Sequence, residues 1–354
     1  MPNKSTNRSL TDRPSTDPTP LFEHFRGMHG SELLTAAVAH FNLFGRLNQA
    51  PTDIETLRKE LQLELRPAIV LLTALKAMGL LKETAGQFSL TELAAEHLVP
   101  GGAFDCGDYV GLAAQSPGVL SMVHLLKTNR PLGSDDDDAG GAAFIYRDGM
   151  KSAMESEDSA RHFTLALAGR AKNVAPALAD VISLSDAQLL LDVGGGTGIY
   201  SHALLQKNPH LRAIVFDRPQ VLKIAAQMGE EYGVSDRCEF VSGDMFADKL
   251  PTGADTILLS NILHDWDLPE CQQLVDRCAQ ILPPGGRLLI HDVFLNDALD
   301  GPLPIALYSA SLFSFTEGRA YSGAEYRSML ASAGLKPEPI IPTLVHCGVL
   351  VGTK

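Results

Sequence analysis

The chain has 354 residues, more than one hydrophobic core usually organises, so its length predicts two domains. The formal net charge of −13 argues against a phosphate-backbone ligand and against anchoring to an anionic membrane surface. The five cysteines are scattered without the paired short spacing of a zinc site or a disulfide framework, so we expect no metal and a reducing, cytoplasmic location.

Residues 1–20 are polar, rich in Pro, Ser and Thr, and lack the apolar core of a signal peptide. This composition predicts a disordered leader over residues 1–20. Farther along, no stretch reaches the roughly 18 uninterrupted apolar residues that a membrane-spanning helix needs. The sequence therefore predicts no attachment to a membrane.

From Leu21 to about Leu98, within the predicted domain 21–130, apolar side chains recur at the three- and four-residue spacing of amphipathic helices. Two strand-like segments, 80–82 and 87–90, flank an Ala85-Gly86 turn, which predicts a β-hairpin. Helices followed by such a hairpin are typical of a winged helix, a domain that commonly binds DNA.

The charge of this region helps to choose between DNA binding and dimerisation. Between Pro20 and Pro100 there are seven Lys and Arg residues and nine Asp and Glu residues, whereas duplex binding requires several cations that neutralise phosphates. We therefore expect that residues 21–130 bind no nucleic acid. Their apolar helices are expected to pack against a second copy of the chain in a homodimer.

The segment PLGSDDDDAGG at 131–141 is rich in Pro, Gly and Asp, which predicts an exposed loop. The alternative is a site for a hard cation, but the interleaved glycine and terminal glutamate of a calcium loop are missing. We interpret residues 131–186 as a linker and helices that contribute to a substrate pocket.

From residue 187 to residue 354, short apolar runs alternate with helical segments. Runs that are apolar on both faces are typical of a parallel sheet covered by helices on its two sides. Two further segments, 339–342 and 346–351, predict an antiparallel pair at the edge of this sheet. The predicted fold class is α/β.

A glycine-rich turn follows the first apolar run, with the sequence DVGGGTG at 192–198. Glycine allows the backbone to approach a ligand closely and to turn sharply into a helix. A dinucleotide fingerprint counted from Gly194 would require glycine at position 199, where Ile199 stands. An acidic strand end instead suits a ligand with a cationic part, so we assign ligand binding to five residues: Asp192, Gly194, Gly195, Gly196 and Gly198.

The next two strands also end in polar residues. Asp217 stands where a carboxylate accepts hydrogen bonds from both hydroxyls of a ribose, and a helix-capping role before Pro219 is the alternative. After the third strand, a carboxylate can accept from an exocyclic amine between apolar flanks. Because the carboxyl ends of parallel strands meet at one edge, the pattern predicts a nucleoside site that includes Gly243, Asp244, Met245 and Phe246.

His264 follows the fourth strand and is expected beside the same crevice. Imidazole is the usual base that removes a proton from a hydroxyl near neutral pH. A lone histidine is more often structural, so its position alone leaves both interpretations open. Trp266, the chain's single tryptophan, is equally well explained as a packing residue.

Six ordered segments carry a family resemblance: DVGGGTG at 192–198, FDRPQV at 216–221, GDMF at 243–246, LHDW at 263–266, LPPGGRLLIHD at 282–292 and EYRSMLASAGL at 325–335. Over nearly its whole length the chain resembles the caffeate and hydroxyindole O-methyltransferase family. The resemblance implies a Rossmann-like seven-stranded sheet over 187–354, mostly parallel with an antiparallel last strand. It also implies an N-terminal winged-helix dimerisation domain.

S-adenosylmethionine is the cofactor that the resemblance implies, bound by the loop from Gly194 to Gly198. Asp217 is then expected at the ribose, and Asp244 with Met245 at the adenine. Ser260 stands where many relatives have a lysine near the cofactor.

The resemblance places His264 at the family's catalytic base and Asp292 at the acidic residue that orients it. Relatives commonly carry a glutamate that gives the histidine a second support, but this chain has Ala320 there. The base is then expected to be held by Asp292 alone, by Asp265, or by Glu317 from a shifted loop.

An aromatic hydroxyl is the family's common acceptor, so we expect O-methylation of a small aromatic or apolar metabolite. Four residues are expected in the wall of the acceptor pocket: Met150, Met154, Phe163 and Phe313. Two alternatives are a relative that uses S-adenosylmethionine structurally during hydroxylation or decarboxylation, and a ligand-responsive DNA-binding protein.

Overall fold

The computed structural model describes residues 9–131, 145 and 157–354. Met150, Met154 and all but the first residue of the predicted loop at 131–141 lie outside these described residues. Among the helices that are described, none is both long and apolar enough to cross a membrane.

The N-terminal part is mainly helical and has its own buried apolar cluster. In chain order its elements are α1 (Thr19–Arg26), α2 (Gly30–Thr35), a π-helical stretch (Ala36–His40), α3 (Leu43–Leu47), β1 (Thr52–Asp53), α4 (Ile54–Leu61), α5 (Leu65–Ala77), β2 (Leu81–Thr84), β3 (Gln87–Leu90), α6 (Glu92–His97), α7 (Gly107–Gly111) and α8 (Pro117–Thr128).

The predicted hairpin is confirmed by the antiparallel pairing of β2 with β3. Its two turn residues, Ala85 and Gly86, have φ values of 50° and 74°. Positive φ at both central residues is what a two-residue turn between twisted strands requires. β1 pairs with the outer side of β3, so the hairpin becomes a three-stranded sheet.

A larger sheet forms the centre of the C-terminal part. Its strands are β4 (Leu189–Val193), β5 (Arg212–Asp217), β6 (Cys238–Ser242), β7 (Thr256–Ser260), β8 (Arg287–Val293), β9 (Lys336–Pro337), β10 (Ile341–Pro342) and β11 (Cys347–Thr353). The helices are α9 (Glu157–Val181), α10 (Ile199–Lys207), α11 (Pro219–Glu231), α12 (Leu268–Ile281), α13 (Leu303–Phe315) and α14 (Gly323–Ser332).

Both faces of this sheet are buried, which confirms the predicted α/β architecture. Leu190 packs into an apolar cluster that includes residues of α9, α10 and α11. The next residue, Leu191, packs into a second cluster with residues of α12 and α14. Side chains alternate between the faces of a strand, so two covered faces require the continuous apolar runs seen in the sequence.

The strand order is β10-β11-β8-β7-β4-β5-β6, with β9 pairing beside β11. β4 to β8 pair in parallel, and β11 runs antiparallel to β8. The chain therefore proceeds outward from β4 to β6 and then returns to the other side of β4 at β7. Open α/β sheets bind their ligands at such a switch point, outside the carboxyl ends of the strands.

Residues 9–18 differ from the expected disordered leader. Leu10 is 4% exposed and belongs to the cluster beneath α9 and α10. Its backbone N–H donates to Gln206 Oε1 at 2.9 Å, and Arg13 pairs with Asp180 at 2.8 Å. A single buried leucine holds this polar stretch, and composition alone does not reveal such an anchor.

α13 joins the two parts of the chain, because Phe313 packs into the N-terminal cluster. Phe313 is fully buried, with the guanidinium of Arg66 4.7 Å above its ring. The prediction that Phe313 lines the acceptor pocket is therefore wrong. It lies on the face of α13 that is turned toward α5, whereas the neighbouring Leu312 faces the cavity described below.

Replacement of Arg66 by alanine should destabilise the protein. Its Nη1 donates to the carbonyl oxygens of Thr316 and Gly318 at 2.9 and 3.0 Å. Losing the guanidinium leaves these buried carbonyls without a donor, so Arg66→Ala should lower the free energy of unfolding by about 2–4 kcal/mol in chemical denaturation. Arg58→Ala, which removes an exposed pair with Glu55, should leave the free energy of unfolding close to that of the wild type. Equal losses would contradict this role for Arg66.

Candidate active site

A cavity of about 530 Å³ lies at the carboxyl ends of β4, β5, β6 and β7. Its walls come from the loop after β4, from the ends of the next strands, from α9 and α13, and from the N-terminal segment after α1. Within the described part of the chain, no three His, Cys, Asp or Glu side chains are grouped to hold a metal ion.

The glycine-rich loop after β4 forms one wall of the cavity. Gly194 and Gly196 have φ values of 69° and 58°, in the left-handed region that favours glycine. A Cβ at Gly195 would lie 2.7 Å from Val215 Cγ1, so no side chain fits there. These three glycines line the cavity, whereas Gly198 precedes α10 and does not appear among the described lining residues.

Asp192, near the end of β4, lines the cavity and is 1% exposed. Its Oδ2 accepts a hydrogen bond from Ser201 Oγ at 2.5 Å, and its buried Oδ1 has no hydrogen-bond partner. Burial raises the pKa of Asp192 to about 7; the Ser201 hydrogen bond opposes this shift and Asp217 adds to it. A buried acid with one unpartnered oxygen is suited to accept from a cationic ligand.

Asp217 ends β5 and also lines the cavity. Its Oδ2 accepts from the Gly196 N–H at 2.8 Å and its Oδ1 from the Arg218 N–H at 2.7 Å. Burial raises the pKa of Asp217, while these backbone donors oppose the shift. No side-chain hydrogen bond caps α11, which removes the capping alternative. Each carboxylate oxygen keeps a further lone pair for a ligand hydroxyl.

The residues that directly follow β6 also line the cavity. Asp244 Oδ1 accepts from the N–H groups of Phe246 and Ala247 at 2.8 and 3.1 Å, which fixes the carboxylate. Met245 and Phe246 line the cavity with it. A Cβ at Gly243 would collide with an aromatic ring of β5, so glycine is required there. The three predicted strand ends thus meet around one space.

His264 lies in a short 3-10 turn after β7, Leu263–Asp265, and its ring lines the cavity at 3% exposure. Nδ1 is 2.5 Å from Asp292 Oδ1, and Nε2 is 3.6 Å from Asp265 Oδ1. The rings of Tyr308 and His264 form a T-shaped pair with their centroids 6.0 Å apart. Because Asp292 accepts the hydrogen of Nδ1, Nε2 is the nitrogen available to accept a proton.

Asp292, on β8, is itself held by two donors. The Val293 N–H donates to Oδ1 at 2.7 Å and the Tyr326 hydroxyl donates to Oδ2 at 3.0 Å. Burial alone would raise the pKa of Asp292, but His264 and the Val293 N–H hold it below its ordinary value. The carboxylate is therefore charged where it meets the histidine.

At position 320 the structure places a buried alanine, so the histidine lacks support from there. Asp292 and Asp265 are the described carboxylates within 4 Å of the His264 ring. Burial raises the pKa of Asp265 to about 6, and His264 opposes that shift. Glu317 reaches this group through its backbone N–H, which donates to the Asp265 carbonyl oxygen at 3.2 Å.

Ser260, the last residue of β7, lines the cavity and is held by hydrogen bonds. Its Oγ is 2.9 Å from His291 Nδ1 and accepts from Asn261 Nδ2 at 3.0 Å. Burial lowers the pKa of His291 to about 3, with a further contribution from Arg170, so that imidazole is neutral. Ser260 is therefore a polar but uncharged part of the wall.

Among the predicted residues of the acceptor pocket, Phe163 lines the cavity and Phe313 does not. Met150 and Met154 are outside the described residues. Additional apolar side chains of the wall are Phe25, Met28, Leu167, Ile262, Leu312 and Phe315. The space beside His264 is thus bounded mainly by apolar groups.

Five residues at or behind the cavity were not predicted from the sequence: Arg170, Tyr200, Asn261, Tyr308 and Tyr326. Tyr326 lies in the segment 325–335 and Asn261 directly follows Ser260, so their polarity was a usable signal. The other three lie on helices, where the sequence does not show which face meets the cavity.

The chain is similar to known proteins over most of its length. A family model described as an O-methyltransferase domain matches residues 138–336. The 3-hydroxy-5-methyl-1-naphthoate 3-O-methyltransferase of Streptomyces sahachiroi is 34% identical, over 90% of this chain and 89% of that protein. The L-tyrosine C(3)-methyltransferase of Streptomyces lavendulae is 30% identical, over 90% and 88%.

Among solved structures, an O-methyltransferase family 2 protein from Planctomyces limnophilus is 47% identical. The alignment covers 98% of this chain and 99% of that chain, with a TM-score of 0.88. That protein was solved as a complex with apigenin.

Asp192 should make stability depend on pH. Its pKa is raised to about 7 in the folded protein, so the stability that its neutral form contributes is complete below the unfolded pKa, near 4, and is lost as pH rises through 7. Without ligand, Asp192→Asn should therefore gain about 2–4 kcal/mol in unfolding free energy relative to the wild type between pH 4 and pH 8.

The exposed Asp236 offers a matched control, because Asp236→Asn should track the wild type across this range. Denaturation curves recorded at several pH values provide the measurement. Parallel pH profiles for wild type and Asp192→Asn would show that Asp192 has no raised pKa.

Proposed function

The chain belongs to the O-methyltransferase family, and on that premise we propose that it methylates a hydroxyl of a small aromatic molecule. It is an S-adenosylmethionine-dependent enzyme. One observation supports the proposal most strongly. His264, held by Asp292, lines the same cavity as Asp192, Asp217 and Asp244. The comparisons do not favour a hydroxylase, a decarboxylase or a DNA-binding regulator.

The cavity residues fit S-adenosylmethionine. The glycines leave room for close backbone approach, and the unpartnered Oδ1 of Asp192 suits a cationic group. We propose that Asp217 binds the ribose, while Asp244 and Met245 bind the adenine. Phe246, Gly243 and Ser260 complete this wall. When bound, the cofactor supplies an electrophilic methyl group.

The proposed base is His264. With its Nδ1–H donated to Asp292, its Nε2 can take the proton of an acceptor hydroxyl as the oxygen becomes nucleophilic. The charge that develops on the ring is then stabilised by Asp292 and by Asp265 at 3.6 Å from Nε2. The cavity walls hold the acceptor in line and exclude water, which is the larger part of catalysis in a displacement reaction.

The apolar walls favour a flat, hydrophobic acceptor over a sugar or a peptide. Phe163, Leu312 and Phe315 bound the region where the acceptor would lie. The Streptomyces sahachiroi relative acts on a hydroxynaphthoate, and the Planctomyces limnophilus relative was solved with apigenin. These properties support an aromatic hydroxyl as the methyl acceptor of this chain.

The proposed reaction is tested with purified protein, methyl-labelled S-adenosylmethionine and a panel of hydroxylated arenes. Wild-type protein should place the label on an aromatic oxygen, as located by fragmentation in mass spectrometry. His264→Ala should keep its affinity for S-adenosylhomocysteine, measured by calorimetry, and lose about 10²- to 10⁴-fold in turnover. Asp292→Asn should also lose turnover, because the ring is no longer held by a charged acceptor.

His162→Ala is the matched control, since His162 is exposed on α9. It should turn over at the wild-type rate. Full turnover by His264→Ala would contradict the base assignment. The absence of labelled product from every arene, or a label found only on carbon, would contradict O-methylation.

We also propose a homodimer formed through the N-terminal domain, residues 21–130. Leu21, Phe25 and Met28 are 73%, 66% and 47% exposed, although Phe25 and Met28 also line the cavity. Clustered exposed apolar side chains mark interaction surfaces, and a second copy of the chain would cover them and close this side of the site.

Sedimentation velocity should therefore give about twice the chain mass of 38.0 kDa. Phe25→Asp should shift the protein toward the monomer, because it places a charge in an apolar interface. The control Leu268→Asp changes an exposed leucine at the start of α12 and should remain dimeric. A monomeric wild-type protein at micromolar concentration would contradict the proposal.

The remaining assignments also stand as proposals. We propose residues 131–186 as a linker with pocket helices, residues 187–354 as the cofactor-binding domain, and a cytoplasmic location. The five cysteines of the described chain are free, and four of them are buried, which fits a reducing compartment.

A further inference from the structure

Arg170 is a cation of the cavity that has no role in the proposed methyl transfer. Arg170, on α9, lines the cavity and its Nη1 donates to the Tyr308 hydroxyl at 3.0 Å. Among the described residues, no carboxylate lies within 4.0 Å of its guanidinium. Asp292 and Asp265 are close enough to act on it electrostatically, but both face His264.

Two other buried cations have carboxylate partners. Arg319 is buried and paired with Glu325, and Lys76 is buried and paired with Glu83 at 2.6 Å. A guanidinium is always charged, so placing it in a largely apolar cavity beside the neutral hydroxyls of Tyr308 and Tyr200 is costly without an anion. The charge of Arg170, which has no carboxylate partner among the described residues, therefore points to an anionic ligand.

A second observation lies next to Arg170. Tyr200 contacts Arg170, and the Tyr200 hydroxyl accepts from Asn261 Nδ2 at 3.3 Å. The Oδ1 of Asn261 is buried, lines the same cavity and has no hydrogen-bond partner. Tyr200 thus lies between Arg170, which has no carboxylate partner among the described residues, and the unpartnered Oδ1 of Asn261.

We propose that Arg170 binds a carboxylate within this cavity. A guanidinium matches the two oxygens of a carboxylate with parallel hydrogen bonds. The inference rests on the proposed function, because it assigns a residue of the same site.

Two ligands of the reaction can supply this carboxylate. One is the amino-acid end of S-adenosylmethionine, whose ammonium group would meet the free Oδ1 of Asn261. The other is an acidic group on the aromatic acceptor. In either case Arg170 binds and positions the ligand, and it takes no proton because its charge is fixed.

The experiment compares four proteins: wild type, Arg170→Met, Arg170→Lys and Arg161→Met. Arg161 is exposed on the same helix and serves as the matched control. The first arm measures by calorimetry the affinity for S-adenosylhomocysteine and for its analogue without the carboxylate. The second arm measures KM, at saturating S-adenosylmethionine, for matched hydroxyarenes with and without a carboxylate.

If the cofactor supplies the carboxylate, Arg170→Met should bind S-adenosylhomocysteine about 10- to 100-fold more weakly and the decarboxylated analogue unchanged. Arg170→Lys should recover part of the loss. If the acceptor supplies it, affinity for both nucleosides should stay unchanged, and KM should rise only for the carboxylated arene. Arg161→Met should match the wild type throughout.

The wild-type protein gives a reading that does not depend on the folding of any variant, because removal of the carboxylate from the correct ligand should itself weaken binding. Equal behaviour of Arg170→Met and wild type within both matched pairs would overturn the assignment of Arg170 while leaving methyl transfer intact. If wild-type protein neither binds S-adenosylhomocysteine nor methylates any arene, the proposed function fails first and this inference fails with it.

Discussion

The hydrogen bond between Asp292 Oδ1 and His264 Nδ1 is the interaction on which the chemistry of this chain depends. Its length is 2.5 Å and both groups are buried, so each would be costly without the other. Val293 and Tyr326 donate to the same carboxylate and fix its direction. The pair exists because β7 and β8 are neighbours, with Ser260 opposite His291 in their register.

The buried acids near this edge of the sheet have different protonation properties because their partners differ. Asp292 has a histidine and two other donors, and its pKa lies below the ordinary value. Asp192 has one hydroxyl donor and a vacant oxygen, and its pKa is raised to about 7. One carboxylate is thus permanently charged beside the proposed base, while the other is completed only by a cationic ligand.

Much of this arrangement could be predicted because it depends on strand ends. Asp192, Asp217, Asp244 and His264 each follow an apolar run, and parallel topology necessarily brings such positions to one edge. Helical contributions were harder to predict, since Phe313 and Arg170 lie on helices whose orientation is set by tertiary packing. Periodicity shows that a helix has an apolar face but does not show which neighbour covers it. That is why Phe313, which packs into the N-terminal cluster, was expected in the cavity wall, and why Arg170 was not predicted.

For His264 to act as the base, its Nδ1 must carry the proton and its Nε2 must face the cavity as an acceptor. Nitrogen-15 NMR of ring-labelled protein, recorded near pH 8 with Asp292→Asn for assignment, observes both nitrogens directly. We predict a protonated, pyrrole-type Nδ1 and an unprotonated, pyridine-type Nε2. A neutral ring with its proton on Nε2 would contradict the proposed base, whatever the enzyme's activity.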